Sequence, residues 1–107
     1  MTSADIEAAI AAALTAKGSG ALPFERMMEL IEAGRSRGLS VSTIDATCDG
    51  GWQPRPDLGF HVDSDELDRM ANDIPNRADA TAQWARENYE AVMIEDDVEF
   101  EVWFWRD

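Results

Sequence analysis

The spacing of apolar residues divides this chain into helical and extended stretches. Ile6, Ile10 and Leu14 recur every four residues within a run of alanines, which predicts a helix from Ser3 to about Lys17. Ser3 is placed to cap it, Asp5 and Glu7 suit the positive end of its dipole, and Gly18-Ser19-Gly20 ends it. Pro23 suits the first turn of a second helix running to about Arg37. Its core stripe is Phe24, Met27, Met28 and Ile31, and Gly38 stops it.

Residues 39–48 carry two phases. Leu39 and Val41 share one strand face, whereas Ile44, Ala46 and Cys48 lie on the other. A bulge that flips the phase accounts for this, and so does a short helix capped by Ser40. The β-branched density of Val41, Thr43, Ile44 and Thr47 favours the strand. Asp49-Gly50-Gly51 turns the chain, the prolines of Trp52–Asp57 point to a loop, and Leu58–Val62 reads as a short strand. A third helix is predicted over Asp63–Asp73, capped by Asp63 or Ser64 with Glu66 closing a capping box. Pro75 breaks it. A fourth helix, about Arg77 to Val92, presents Trp84, Ala85, Asn88, Ala91 and Val92 on one side, and a last strand spans about Glu95 to Arg106. The order implies an α+β fold: about four helices packed on a small, mainly antiparallel sheet of about three strands, in one domain over residues 1–107.

Charge changes this picture more than composition does. The 107 residues carry a net charge of −13, held unevenly. Residues 1–53 have seven acids against four bases, and residues 54–107 have fifteen against five. The 45% apolar content is patterned, so this is a folded acidic protein and not a disordered tail. A structured negative surface repels nucleic acid and anionic membrane and attracts basic proteins. The single cysteine, Cys48, excludes an intramolecular disulfide and favours a reducing compartment. The longest N-terminal apolar run, Ala8 to Leu14, is too short to span a membrane, so the expected setting is soluble and cytoplasmic.

The chain offers little catalytic chemistry. His61 sits between Phe60 and Val62 in a short strand, where alternation turns it to the opposite face. With Cys48 it would make a thiol enzyme only if the two met, and Cys48 reads more simply as a small buried apolar residue. Asp63, Asp65, Glu66 and Asp68 could suggest a Ca²⁺ or Mg²⁺ site, but they lack the glycine and terminal glutamate of an EF-hand loop and serve well as a helix start. Leu39–Ile44 after a helix faintly resembles a helix-turn-helix, against which the net charge weighs heavily. No Walker, dinucleotide or zinc spacing is present, so no cofactor is predicted.

The last strand is different. Val98, Phe100, Val102 and Phe104 fall on one face, the core side. Glu99, Glu101, Trp103 and Trp105 fall on the other, and Glu95, Asp96 and Asp97 extend the negative strip. Acids steering a basic partner and indoles anchoring it would make a binding strip, with Asp63, Asp65, Glu66 and Asp68 as a second acidic segment. Alternatively a helix covers the outer face and buries both indoles. The reading that follows is a small non-enzymatic inhibitor. It binds a basic protein, a nuclease or nucleic-acid-binding complex, through a phosphate-mimicking face, with no direct nucleic-acid or membrane contact. In size, charge and lack of catalytic residues the chain resembles the acidic inhibitors that phages use against bacterial defence nucleases, including anti-CRISPR and anti-restriction proteins. It also resembles the immunity proteins that neutralise toxin nucleases; no motif is shared. The alternatives are an acidic interaction domain whose charge serves solubility or salt adaptation, and a small metal-dependent or thiol enzyme.

Overall fold

The structure is a computed structural model that describes residues 2–63, 65, 66, 68, 69, 77–90 and 92–105. Helix α1 spans Ser3–Ala13. Its cap is Thr2 and not Ser3: the Thr2 hydroxyl accepts the Asp5 N–H at 3.2 Å, and the Asp5 carboxylate accepts the Thr2 N–H at 3.3 Å. Those Thr2 bonds hold the Asp5 carboxyl below its ordinary range. The helix stops short of Lys17. Beyond it Thr15 turns its hydroxyl back onto the Ala12 carbonyl at 2.6 Å and accepts the Lys17 N–H, a local alternative to the helical ladder.

Helix α2 spans Phe24–Ser36 and buries Met27, Leu30, Ile31 and Gly34. Phe24 and Met28 pack at the margin of the core. Strand β1 (Val41–Cys48) is the centre of the sheet. A register shift between Val41 and Thr43 is the phase-flipping bulge that the two rhythms of residues 39–48 require. It lets Val41, Ile44, Ala46 and Cys48 all be buried. Residues 41–44 are thus extended, not the second helix of a helix-turn-helix.

Strands β2 (Gln53–Pro54) and β3 (Phe60–His61) lie antiparallel along one edge of β1. Strand β4 (Glu99–Phe104) lies antiparallel along the other. Strand β2 corrects the loop expected from the prolines. Pro54 pairs with Thr47 at the sheet edge, where a missing N–H is tolerated. Helix α3 is Arg77–Tyr89. The described residues therefore hold three α-helices and four antiparallel strands where the pattern predicted about four and three. The expected helix over 63–73 lies largely outside the described residues. Asp65, Glu66, Asp68 and Arg69 are helical, and Asp63 accepts the Glu66 N–H at 2.8 Å as a cap.

The helices cover one face of the sheet. Phe100 of β4 meets the rings of Phe24 at 5.8 Å and Tyr89 at 5.7 Å, and the Phe104 ring fills the space beside Gly34. Helix α3 buries Ala78, Thr81, Ala82, Ala85 and Tyr89, a stripe rotated from the one expected. Two bonds set that rotation. The Thr81 hydroxyl accepts the Val41 N–H at 3.0 Å, and the Tyr89 hydroxyl donates to the Leu58 carbonyl at 2.7 Å. Trp84 and Asn88 are consequently exposed. No helix among the described residues is long and apolar enough to cross a membrane.

Candidate functional site

The other face of the sheet is covered in part, by the loop after α1 over Trp103. Asp45 is exposed there and Glu99 and Glu101 are half-buried, and the β1–β4 register decides what the face displays. Thr43 pairs with Trp103, Asp45 with Glu101 and Thr47 with Glu99, while the alternating pairs Ile44–Val102 and Ala46–Phe100 turn into the core. Just past the ends of the two strands, Asp49 and Asp97 bring carboxylate oxygens within 4.8 Å of each other. The result is a ladder of five carboxylates: Asp45, Glu99 and Glu101 on the paired strands, with Asp49 and Asp97 just beyond the strand ends. Glu99 and Glu101 alternate along β4, so their carboxylates lie about 6–7 Å apart. Ala21, Asp45, Thr47, Glu99 and Glu101 line a small hollow of about 30 Å³ on this face.

Nothing among the described residues neutralises the ladder. Arg35 pairs with Glu32 and Asp79, Arg37 with Glu7, Arg86 with Glu32, and Arg77 with Asp68. Arg55 bridges Asp57 at 3.0 Å and Glu95 at 2.9 Å. These pairs lie on helices and loops. They hold the Glu32 and Asp57 carboxyls below the ordinary carboxylate range, chiefly through the hydrogen bonds from Arg35 and Arg55, and raise both guanidinium groups in turn. Arg35, Arg37, Arg55, Arg77 and Arg86 thus pair away from the sheet, and among the described residues no ion pair reaches the carboxylates of the β1–β4 face.

The acids and indoles expected from sequence separate into groups. Asp97, Glu99 and Glu101 stand on the ladder. Glu95 is tied to Arg55, and Asp96 lines a separate cavity of about 280 Å³ with Pro23, Phe24 and Arg26. Asp63 caps and Asp68 pairs with Arg77; among the described residues no hydrogen bond or ion pair joins Asp63, Asp65, Glu66 or Asp68 to the ladder. Trp103 is half-buried: its indole N–H donates to the Ala16 carbonyl at 3.2 Å and its ring packs over Gly18. Trp105 is half-buried against the core, with its indole nitrogen enclosed. The cover over Trp103 is the loop after α1.

Sequence reasoning missed Asp45, Asp49 and Trp52. The inward phase Ile44, Ala46, Cys48 already sets Asp45 outward, so that signal was present, whereas Asp49 lies past the strand end with a left-handed φ of 54°, where alternation does not carry. Trp52 stands 89% exposed beyond the β1–β2 turn. His61 is exposed and shares a 3.0 Å hydrogen bond with Thr43. Cys48 is buried, five residues along β1 from Thr43 and so about 17 Å away by strand rise. The two are not brought together. Cys48 instead points at Asp49 and Asp97, and these three form the grouping among the described residues that could hold a metal ion. No family model, curated protein or solved structure matches the chain.

Proposed function

We propose that the chain is a non-enzymatic inhibitor that occupies the phosphate-binding surface of a basic, nucleic-acid-handling protein through its carboxylate-bearing sheet face. The observation that carries this reading is the Asp45–Glu101 pair. Like charges directly opposite in a sheet destabilise it, and here neither has a basic neighbour among the described residues. A fold that pairs five of its arginines elsewhere and tolerates this repulsion keeps the face negative for a partner. Carboxylates on two paired strands and at their ends present to that partner what a phosphate backbone presents: repeated charge that docks without reading bases. A charge serving solubility alone would be spread over the surface, with both signs mixed.

The test is capture from a bacterial lysate at low salt, comparing the native chain with the Glu99→Lys, Glu101→Lys variant. The reading requires that the native chain retain nucleic-acid-binding proteins, that added duplex DNA release them, and that the variant fail to hold them. Equal capture by both proteins, or retention that polyanion does not relieve, would sink it.

A further inference from the structure

Resting on the proposed function, we propose that the cavity of about 280 Å³ between the start of α2 and the chain entering β4 is a socket for an aromatic side chain of the basic partner, flanked there by arginines or lysines. Its walls are Phe24 and Arg26 from the first turn of α2 and Ile94, Asp96 and Val98 from the approach to β4. Pockets for drug-sized ligands occupy roughly 300–1,000 Å³, so this one suits a single large side chain.

Floor and rim differ in chemistry. Val98 is buried, and Phe24 and Ile94 are half-buried at the margin of the core. The Phe24 ring already meets the rings of Tyr89 and Phe100, each at 5.8 Å, so an entering ring would extend an aromatic cluster. The two residues before Ile94 turn outward, Val92 at 40% and Met93 at 93% exposed, and neither belongs to the core. Methionine is adaptable material for a surface that closes on a partner. On the rim, Glu25 and Asp96 are exposed and in no ion pair among the described residues. The rim also runs into the acidic face along one chain, Asp96 preceding Asp97 and Val98 preceding Glu99.

That combination selects an aromatic ring with basic neighbours. Arg26 is exposed and in no ion pair among the described residues, which leaves its guanidinium able to lie over a ring in the cavity. An aliphatic occupant would gain the floor without that contact. The Glu25 and Asp96 carboxylates oppose an acidic segment and attract the basic residues beside the ring. Proteins that handle single-stranded nucleic acid carry such rings among basic residues, as platforms on which bases stack. The chain would then cover both parts of that surface, its carboxylates meeting the phosphate contacts and its cavity enclosing the stacking ring.

The experiment titrates labelled deca-arginine peptides, with one central residue replaced by phenylalanine, leucine or alanine, at low salt. The proteins are the native chain, Arg26→Ala, and Glu99→Lys with Glu101→Lys. The phenylalanine peptide should bind the native chain about five-fold or more tighter than the alanine peptide, with leucine between them. Arg26→Ala, a surface change that should leave the melt unaltered, should close most of the gap between phenylalanine and leucine. By NMR the phenylalanine peptide alone should shift the Ile94 and Val98 methyl resonances through its ring current. If phenylalanine and alanine peptides bind equally, or the ring-current shifts fall on other methyl groups, while charge reversal weakens all three peptides, the socket is wrong and the acidic face stands. If leucine binds as tightly as phenylalanine and Arg26→Ala alters neither, the aromatic assignment is overturned. If charge reversal leaves all three peptides bound as before, the face itself is wrong, and the assignment of the cavity to its partner falls with it.

Discussion

Asp45 and Glu101 face each other directly across the β1–β4 pair on the side of the sheet away from the core. Their repulsion is a local cost that the fold does not need. Asp45→Lys replaces it with a cross-strand ion pair, and such pairs differ from like-charge pairs by about 0.2–1 kcal/mol each way. The variant should melt a few degrees higher than the native chain while binding deca-arginine more weakly. Calorimetry and peptide anisotropy on the same preparation check both. A lower melting temperature would mean that Asp45 has a structural role.

Screening provides the second prediction. Near physiological ionic strength the field of an exposed charge decays over about 8 Å, so the five-carboxylate ladder should act as a unit only at low salt. The association rate with a basic partner should fall steeply as salt rises, and the dissociation rate should change less. Stopped-flow measurements across a salt series separate the two. A flat association rate would remove charge guidance from the mechanism.

Much of this face was legible in the residues. The alternation of Val98, Phe100, Val102 and Phe104 with Glu99, Glu101 and Trp103 fixes inside and outside on β4, and the phase break of residues 39–48 announces the bulge. What alternation lacks is register: only the pairing of β1 with β4 sets Asp45 against Glu101 and brings Asp49 beside Asp97. The rotation of α3 was hidden for a similar reason. Trp84 looks like its core residue by size, but Thr81 and Tyr89 hold long-range bonds to Val41 and Leu58 that a single-segment pattern does not contain. The prolines of Trp52–Asp57 argued against pairing because their place at a sheet edge depends on β1.

Gly34 provides a packing test. An alanine normally favours a helix over glycine by about 1 kcal/mol. Here an added Cβ would lie 2.5 Å from the Phe104 ring, where α2 rests on β4. Gly34→Ala should therefore destabilise, by roughly 1–3 kcal/mol, despite the gain in propensity. Chemical denaturation measures the sign directly. Gly34→Ala with Phe104→Leu should recover part of the loss.

Tyr89 sets an alkaline limit. Burial pushes its phenol up to about 12, with Asn88 offsetting part of the shift, from an ordinary value of 10.0. The neutral form is favoured in the fold, so this contribution is fully present below pH 10 and is lost as pH rises through 12. A shift of this size corresponds to about 2–3 kcal/mol. Tyr89→Phe should be less stable at neutral pH, because it leaves the Leu58 carbonyl without its hydroxyl donor. The variant should lose the pH dependence across that window, so the two stability curves converge between pH 10 and 12. Parallel curves would assign the alkaline transition to another group.

Phe100 and Glu101 are adjacent in sequence and on opposite faces, which makes them the sharpest test of how fold and function divide. Phe100 is 1% exposed and touches the rings of Phe24 and Tyr89, so it joins α2 and α3 to the sheet. Phe100→Ala should cost about 3–5 kcal/mol and lower the melting temperature sharply. Glu101→Lys sits on the carboxylate-bearing face opposite Asp45, where it relieves repulsion, so its melt should match or exceed that of the native chain. Its binding to deca-arginine should nevertheless fall. Measured together, the two variants should separate completely, one losing the fold and the other losing the partner. If Glu101→Lys also unfolds, the carboxylate ladder belongs to the scaffold and the binding surface lies on another part of the molecule.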